Sequence, residues 1–116
     1  MGCQLHAYGA ANVELNWSSG SYLVMGLTRR WLVDERDRES DGWYDGKLRL
    51  LYQDRIDASS IELLSKEAPT TVDKFRAYCL AHEQSEAAEM SDDQLYEIRN
   101  FIAAAAVVGK GVSCSQ

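Results

Sequence analysis

Apolar and polar residues alternate with two different periods along the chain. Near its start, Val13, Leu15 and Trp17 alternate with polar residues, which is the period-two pattern of a strand with one wet face. Ser18–Ser21 has the composition of a turn, so this pattern predicts a hairpin that returns through Tyr22–Gly26.

Residues 22–33 fit a helix and a strand almost equally well. Leu23, Leu27 and Trp31 stand four apart, as on one face of a helix. The segment is also rich in β-branched and aromatic residues, and Gly26 weakens a helix by about 1 kcal/mol relative to Ala. We therefore favour strands here, and the alternation in Lys47–Gln53 predicts a further one.

From Asp57 onward the apolar residues recur at helical spacing. Asp57 or Ser59 can cap a helix that runs to about Glu67, where Pro69 prevents continuation. A second helix begins after Thr70 or Thr71, and its apolar stripe is Val72, Phe75, Cys79 and His82.

A third helix has signals at both of its ends. Ser91–Gln94 has the form of a capping box, and Gly109 is suited to the C-terminal cap. Four small residues, Ala103–Ala106, indicate close helix packing within the domain or across a homodimer. The positions expected to be buried are Leu95, Ile98, Ile102 and Ala105.

Together these patterns predict one α+β domain over residues 1–116. A small antiparallel β-sheet in the N-terminal half, at about 13–55, is packed by about three C-terminal helices between 57 and 109. A mostly α fold is the alternative, because residues 22–33 are ambiguous.

The net charge of −6 is concentrated in the second half of the chain. Residues 1–55 hold eight acids and seven bases, whereas residues 56–116 hold ten acids and five bases. No Lys or Arg occurs between Arg76 and Arg99, where six carboxylates occur: Glu83, Glu86, Glu89, Asp92, Asp93 and Glu97. Such a surface repels nucleic acid and anionic membranes and attracts basic proteins.

The sequence contains no apolar run of the length of a membrane span and no recognisable secretion signal. We therefore expect a cytoplasmic protein that binds neither membranes nor nucleic acid directly. In a reducing compartment its three cysteines would remain thiols.

Both histidines follow a cysteine by three residues, which suggests one alternative role. Cys3, His6, Cys79 and His82 could together complete a tetrahedral zinc site that ties the N-terminus to the helices. Burial of the second pair in an apolar stripe is the simpler interpretation, so we expect no cofactor and keep zinc as the alternative.

The composition favours a non-enzymatic protein-binding module, since no nucleophile or acid pair stands out. The six carboxylates would contact a basic, nucleic-acid-binding surface of a partner protein, with Trp43 and Tyr44 as aromatic anchors. In size and charge the chain looks like small acidic inhibitors, such as toxin-immunity proteins and phage anti-defence proteins, and this likeness is one of type only. The alternatives are a zinc-stabilised regulatory domain and a small enzyme of unknown type.

Overall fold

The computed structural model describes the backbone of residues 3–32 and 55–115 and the side chains of residues 3–28 and 56–115. The predicted strand at Lys47–Gln53 lies outside these residues. The elements in chain order are β1 (Gln4–Ala7), β2 (Glu14–Leu15), α1 (Ser18–Leu32), β3 (Arg55–Ile56), α2 (Ala58–Glu67), α3 (Val72–Ala81), a 3₁₀ helix (Ser85–Ala88), α4 (Asp92–Val108) and β4 (Val112–Ser115).

The strands form one antiparallel sheet in the order β2-β1-β4-β3. Its inner face is apolar, since alternate residues such as Leu5, Ala7 and Val112 are buried. His6 and Ser113 pair on the opposite, polar face. The α+β class predicted from the sequence is confirmed. The sequence pattern did not assign β4, which occupies a central position between β1 and β3.

Helix α1 corrects the prediction of a hairpin and strands over residues 18–32, and the last position of the predicted strands, Val33, lies outside the described residues. The segment is helical from Ser18, and Leu23, Val24 and Leu27 are buried in the core. Glycine weakens a helix, but Gly20 and Gly26 allow other side chains to pack closely against α1. A Cβ on Gly20 would lie 2.7 Å from the Trp17 ring, and a Cβ on Gly26 would lie 2.5 Å from the Gln84 amide. Tertiary contacts therefore outweigh the low helix propensity.

The boundaries of α2 and α3 agree with the predicted signals. Asp57 caps α2 by accepting a hydrogen bond of 2.7 Å from the backbone N–H of Ser60. Thr71 is the N-cap residue of α3. Phe75 and Cys79 are buried, as the apolar stripe predicts, whereas His82 is the half-buried C-cap residue.

Helix α4 also begins and ends where the sequence predicts. The capping box is complete, because Gln94 N donates to Ser91 Oγ at 3.1 Å and Ser91 N donates to Gln94 Oε1 at 2.9 Å. Gly109 adopts the left-handed conformation at the C-terminal cap, with φ 73°. The four residues predicted to be buried are all buried: Leu95, Ile98, Ile102 and Ala105.

The two ends of the chain are joined covalently. Cys3 and Cys114 form a disulfide across 111 residues, with their Cα atoms 6.0 Å apart. The expectation that all three cysteines stay thiols is therefore wrong for this pair, because β1–β4 pairing brings it within bonding reach. No helix within residues 3–32 and 55–115 has the length and apolar character needed to cross a membrane.

Candidate functional site

The six predicted contact carboxylates occupy the connection between α3 and α4 and the first two turns of α4. We call them the acidic surface: Glu83, Glu86, Glu89, Asp92, Asp93 and Glu97. All are exposed except Glu86, which is half-buried. The connection therefore carries its carboxylates at the protein surface, and their contact with a partner stays a prediction.

Arg76 on α3 holds the connecting segment in place. Its guanidinium donates hydrogen bonds to the backbone oxygens of Ala87 at 3.2 Å and Met90 at 2.7 Å, and it lies 3.1 Å from Oδ1 of Asp92. The side chain is only 26% exposed. Within the described part of the chain, Asp92 is the one member of the acidic surface that forms an ion pair.

Arg99 on α4 is turned inward even more completely. It is 9% exposed and donates to the backbone oxygens of Ser65, Ala68 and Pro69, at distances of 2.9 to 3.1 Å. These carbonyls end α2, where the helix dipole favours a positive charge. Burial lowers the pKa of Arg99, but an arginine stays charged at neutral pH. The positive charge of Arg99 therefore stabilises the end of α2 and does not neutralise the carboxylates of the acidic surface.

Glu83 occupies a position that ordinarily favours glycine. Helix α3 ends in a Schellman motif, because Gln84 N donates to Cys79 O at 2.9 Å and Glu83 N donates to Leu80 O at 3.3 Å. The motif requires a left-handed residue, and Glu83 has φ 68°. A side chain in this conformation costs about 1 kcal/mol.

The two N-terminal acids of α4 have a structural role of their own. Asp92 and Asp93 lie in the first turn beside the Ser91 cap, where negative charge stabilises the helix dipole. Helix chemistry therefore accounts for these two residues without any partner. It does not account for Glu83, Glu86 or Glu89, which precede the helix.

A groove opens beside the acidic surface, between α4 and the turn that joins β1 to β2. Its volume is about 390 Å³. The apolar lining includes Val13, Phe101 and Ala104, and two acidic residues, Glu14 and Glu97, also belong to the lining. The sequence gives no signal of the groove because the turn and the helix meet only in the tertiary structure.

One exposed aromatic residue lies in this groove. Tyr96 is 59% exposed, and it shares a helix face with Asn100 and Ala104 at spacings of four. That spacing was the one sequence signal that could have identified it. The anchors predicted from the sequence, Trp43 and Tyr44, lie outside the described residues.

The four candidate zinc ligands are not brought together. Cys3 is bonded to Cys114, and His6 lies on the polar sheet face. Cys79 is fully buried, and burial raises the pKa of its thiol to about 12. The ring of His82 contacts that of Tyr78 in a tilted arrangement, with ring centroids 4.5 Å apart and an interplanar angle of 55°.

Other possible metal ligands are also dispersed over the described residues. Within residues 3–32 and 55–115, no three or more His, Cys, Asp and Glu side chains form a group that could hold a metal ion. The structure therefore gives no support to the zinc alternative over these residues.

A hydrogen-bonded chain of three polar side chains crosses the outer face of the sheet. His6 Nδ1 lies 3.2 Å from Glu14 Oε1, and His6 Nε2 lies 3.1 Å from Ser115 Oγ. This is the order of groups in a Ser-His-acid relay. Neither His6 nor Ser115 lines the adjoining groove, however, and Ser115 is exposed. We interpret the chain as a polar link between β2, β1 and β4.

Comparison with known proteins gives no further guidance: no family model, curated protein or solved structure matches the chain significantly. The functional assignment therefore rests on the surface and groove described above.

Proposed function

We propose that this protein is a small acidic, non-enzymatic binding module. It docks onto a basic, nucleic-acid-binding surface of a partner protein and blocks it, as inhibitors of the immunity or phage anti-defence type do. The observation that carries the proposal is the inward direction of Arg76 and Arg99. Because Arg99 and most of the Arg76 contacts are used internally, the carboxylates between them other than Asp92 are left to interact with a partner.

The conformation of Glu83 gives independent support. Glycine would end α3 with less strain, yet a carboxylate stands at the left-handed position. Strained residues of this kind concentrate at functional sites. We infer that the carboxylate of Glu83 is retained for binding, since it weakens the fold.

The chemistry of the surface also limits the kind of partner. When exposed carboxylates contact Lys and Arg side chains of a partner, they increase mainly the association rate and the specificity of binding. They can occupy the positions that phosphates take on the same partner. Nucleic acid and anionic membranes are unsuitable as direct partners because both carry negative charge.

A cytoplasmic location is also part of this proposal. Disulfides persist chiefly in oxidising compartments, and the chain contains one, Cys3–Cys114. Binding through the acidic surface does not depend on the compartment, since these carboxylates lie apart from the disulfide in the sequence.

The first test is capture of the partner from a lysate of the host at low salt, followed by assays with the purified partner. We expect the complex to weaken steeply with added salt and the partner to lose its nucleic acid when this protein is added. The charge-reversal variant E86K/E89K should bind at least about tenfold more weakly at low salt. E62K/D73K reverses two exposed acids, one on α2 and one on α3, and is the matched control.

Glu83→Gly separates binding from stability. The variant removes a carboxylate and a strained conformation together, so it should bind more weakly while unfolding at equal or higher urea concentration. Unchanged binding by E83G and by E86K/E89K, or binding indifferent to salt, would refute the proposal.

A further inference from the structure

The groove beside the acidic surface has the chemistry of a pocket for one amphipathic cation. Phe101 is 5% exposed, and Val13 and Ala104 are half-buried, so part of the lining is apolar. Glu14 and Glu97 also belong to its lining, which contains no Lys, Arg or His among the residues that the structure describes. The site therefore combines a surface for methylene groups with acceptors for positive charge.

The size of the groove restricts its occupant. Pockets for small molecules usually measure about 300 to 1,000 Å³. At about 390 Å³ this groove is near the lower limit, which suits one long side chain and its flanking backbone. It is continuous with the acidic surface because Glu97 belongs to both.

The polar edge favours arginine over lysine. A guanidinium is planar, presents five N–H donors and stacks on aromatic rings, whereas an ammonium is a compact, strongly hydrated charge. Tyr96 offers an exposed ring beside the carboxylates. His6 contacts Oε1 of Glu14 from the sheet side and holds this carboxylate in position.

We propose that the groove formed by Val13, Glu14, Tyr96, Glu97, Phe101 and Ala104 receives an arginine side chain of the partner protein. This inference rests on the proposed function, which it deepens by naming the anchor contact. Tyr96 then takes the role that the sequence assigned to Trp43 and Tyr44. Hot spots of protein interfaces are enriched in the residue types Tyr and Arg that meet here.

The direct test is a titration of ¹⁵N-labelled protein with N-acetyl-arginine methylamide at low salt, followed by NMR. We expect amide shifts confined to residues 12–14 and 96–104, with a dissociation constant on the order of a few millimolar. The citrulline analogue has the same shape without the charge, and it should bind at least about fivefold more weakly. The lysine analogue should fall between them.

Three single variants locate the contact. Tyr96→Ala removes the exposed ring and Ala104→Leu fills the groove, and each should weaken binding of the arginine probe at least about fivefold. Val107→Ala is the matched control, because Val107 is 88% exposed on the same helix and does not line the groove. Equal binding of the arginine and citrulline probes would overturn the inference, as would shifts outside the groove or indifference to Y96A and A104L.

The same variants distinguish failure of this inference from failure of the proposed function. Neither Y96A nor A104L changes the charge, so a partner that is lost with E86K/E89K but retained with both groove variants leaves the acidic surface in place. That result removes the arginine pocket alone. A partner that is retained with all of these variants contradicts both proposals.

Discussion

The sheet and the helical segment from α2 to α4 are held together by interactions of different reach. In the sheet, β1 pairs with β4, and the Cys3–Cys114 disulfide spans 111 residues. In the helical segment the caps join residues three apart, Arg76 reaches residues 11 to 16 positions away, and Arg99 reaches residues 30 to 34 positions away. Closing the sheet therefore orders nearly the whole chain, whereas the helix ends are stabilised within the helical segment, by contacts that span at most 34 residues.

This difference places the candidate site at a junction of the two regions. The acidic surface belongs to the locally stabilised helices, and the groove needs the turn between β1 and β2 as well. Damage to the sheet should therefore affect the groove before it affects the carboxylates. Three changes test this difference between the sheet and the helical segment.

The largest effect is expected from removing the bond between the chain ends. C3A/C114A leaves the native loops unchanged but removes the covalent constraint on the conformations of the unfolded chain. The free energy of unfolding should therefore fall by about 4 kcal/mol. Urea unfolding measures this loss, and the wild type with a thiol reductant should show a similar one. A loss below about 1 kcal/mol would mean that β1–β4 pairing alone closes the sheet.

The next effect is expected within the helical segment. Arg99→Met keeps the aliphatic stem but leaves three carbonyls at the end of α2 without their donor, which should cost about 3 kcal/mol. Arg76→Met is the comparison variant. Its side chain is 26% exposed, so water can replace part of its contacts and the loss should be about 1 kcal/mol. Equal losses in urea unfolding would contradict the burial argument.

The last effect appears only at alkaline pH and concerns the buried thiol of α3. Burial, with a further contribution from Glu86, raises the pKa of Cys79 from 9.0 to about 12. Between these values the unfolded chain loses the proton while the native state keeps it. The contribution of this thiol to the free energy of unfolding is therefore fully present below pH 9. It is lost as the pH rises, and the free energy of unfolding is lower by roughly 2 kcal/mol at pH 10.5.

Cys79→Ala is the control for this pH dependence. The variant lowers stability at neutral pH because it leaves a small cavity, but it removes the contribution of the thiol to the slope above pH 9. Urea unfolding at pH 8 and pH 10.5 compares the two proteins. Parallel losses in both would show that other groups account for the alkaline slope.

The wrong prediction at α1 shows why a local sequence pattern can assign the wrong secondary structure. Gly20 and Gly26 suggested a turn and a weak helix, but both allow a neighbouring side chain to approach the helix closely. One of these neighbours, Gln84, is 58 positions further along the chain than Gly26. No window of sequence contains such a contact, so propensity gave the wrong secondary structure.

The sequence by itself determined the features that depend on a few neighbouring residues. These are the caps at Asp57 and Ser91, the helix end at Gly109 and the run of carboxylates, because a cap or a charge pattern is a local property. The tertiary structure alone decided the central place of β4, the Cys3–Cys114 bond, the inward use of both arginines and the groove at Tyr96. Each of these joins residues far apart in the chain, and only the packing of the whole core sets their distance.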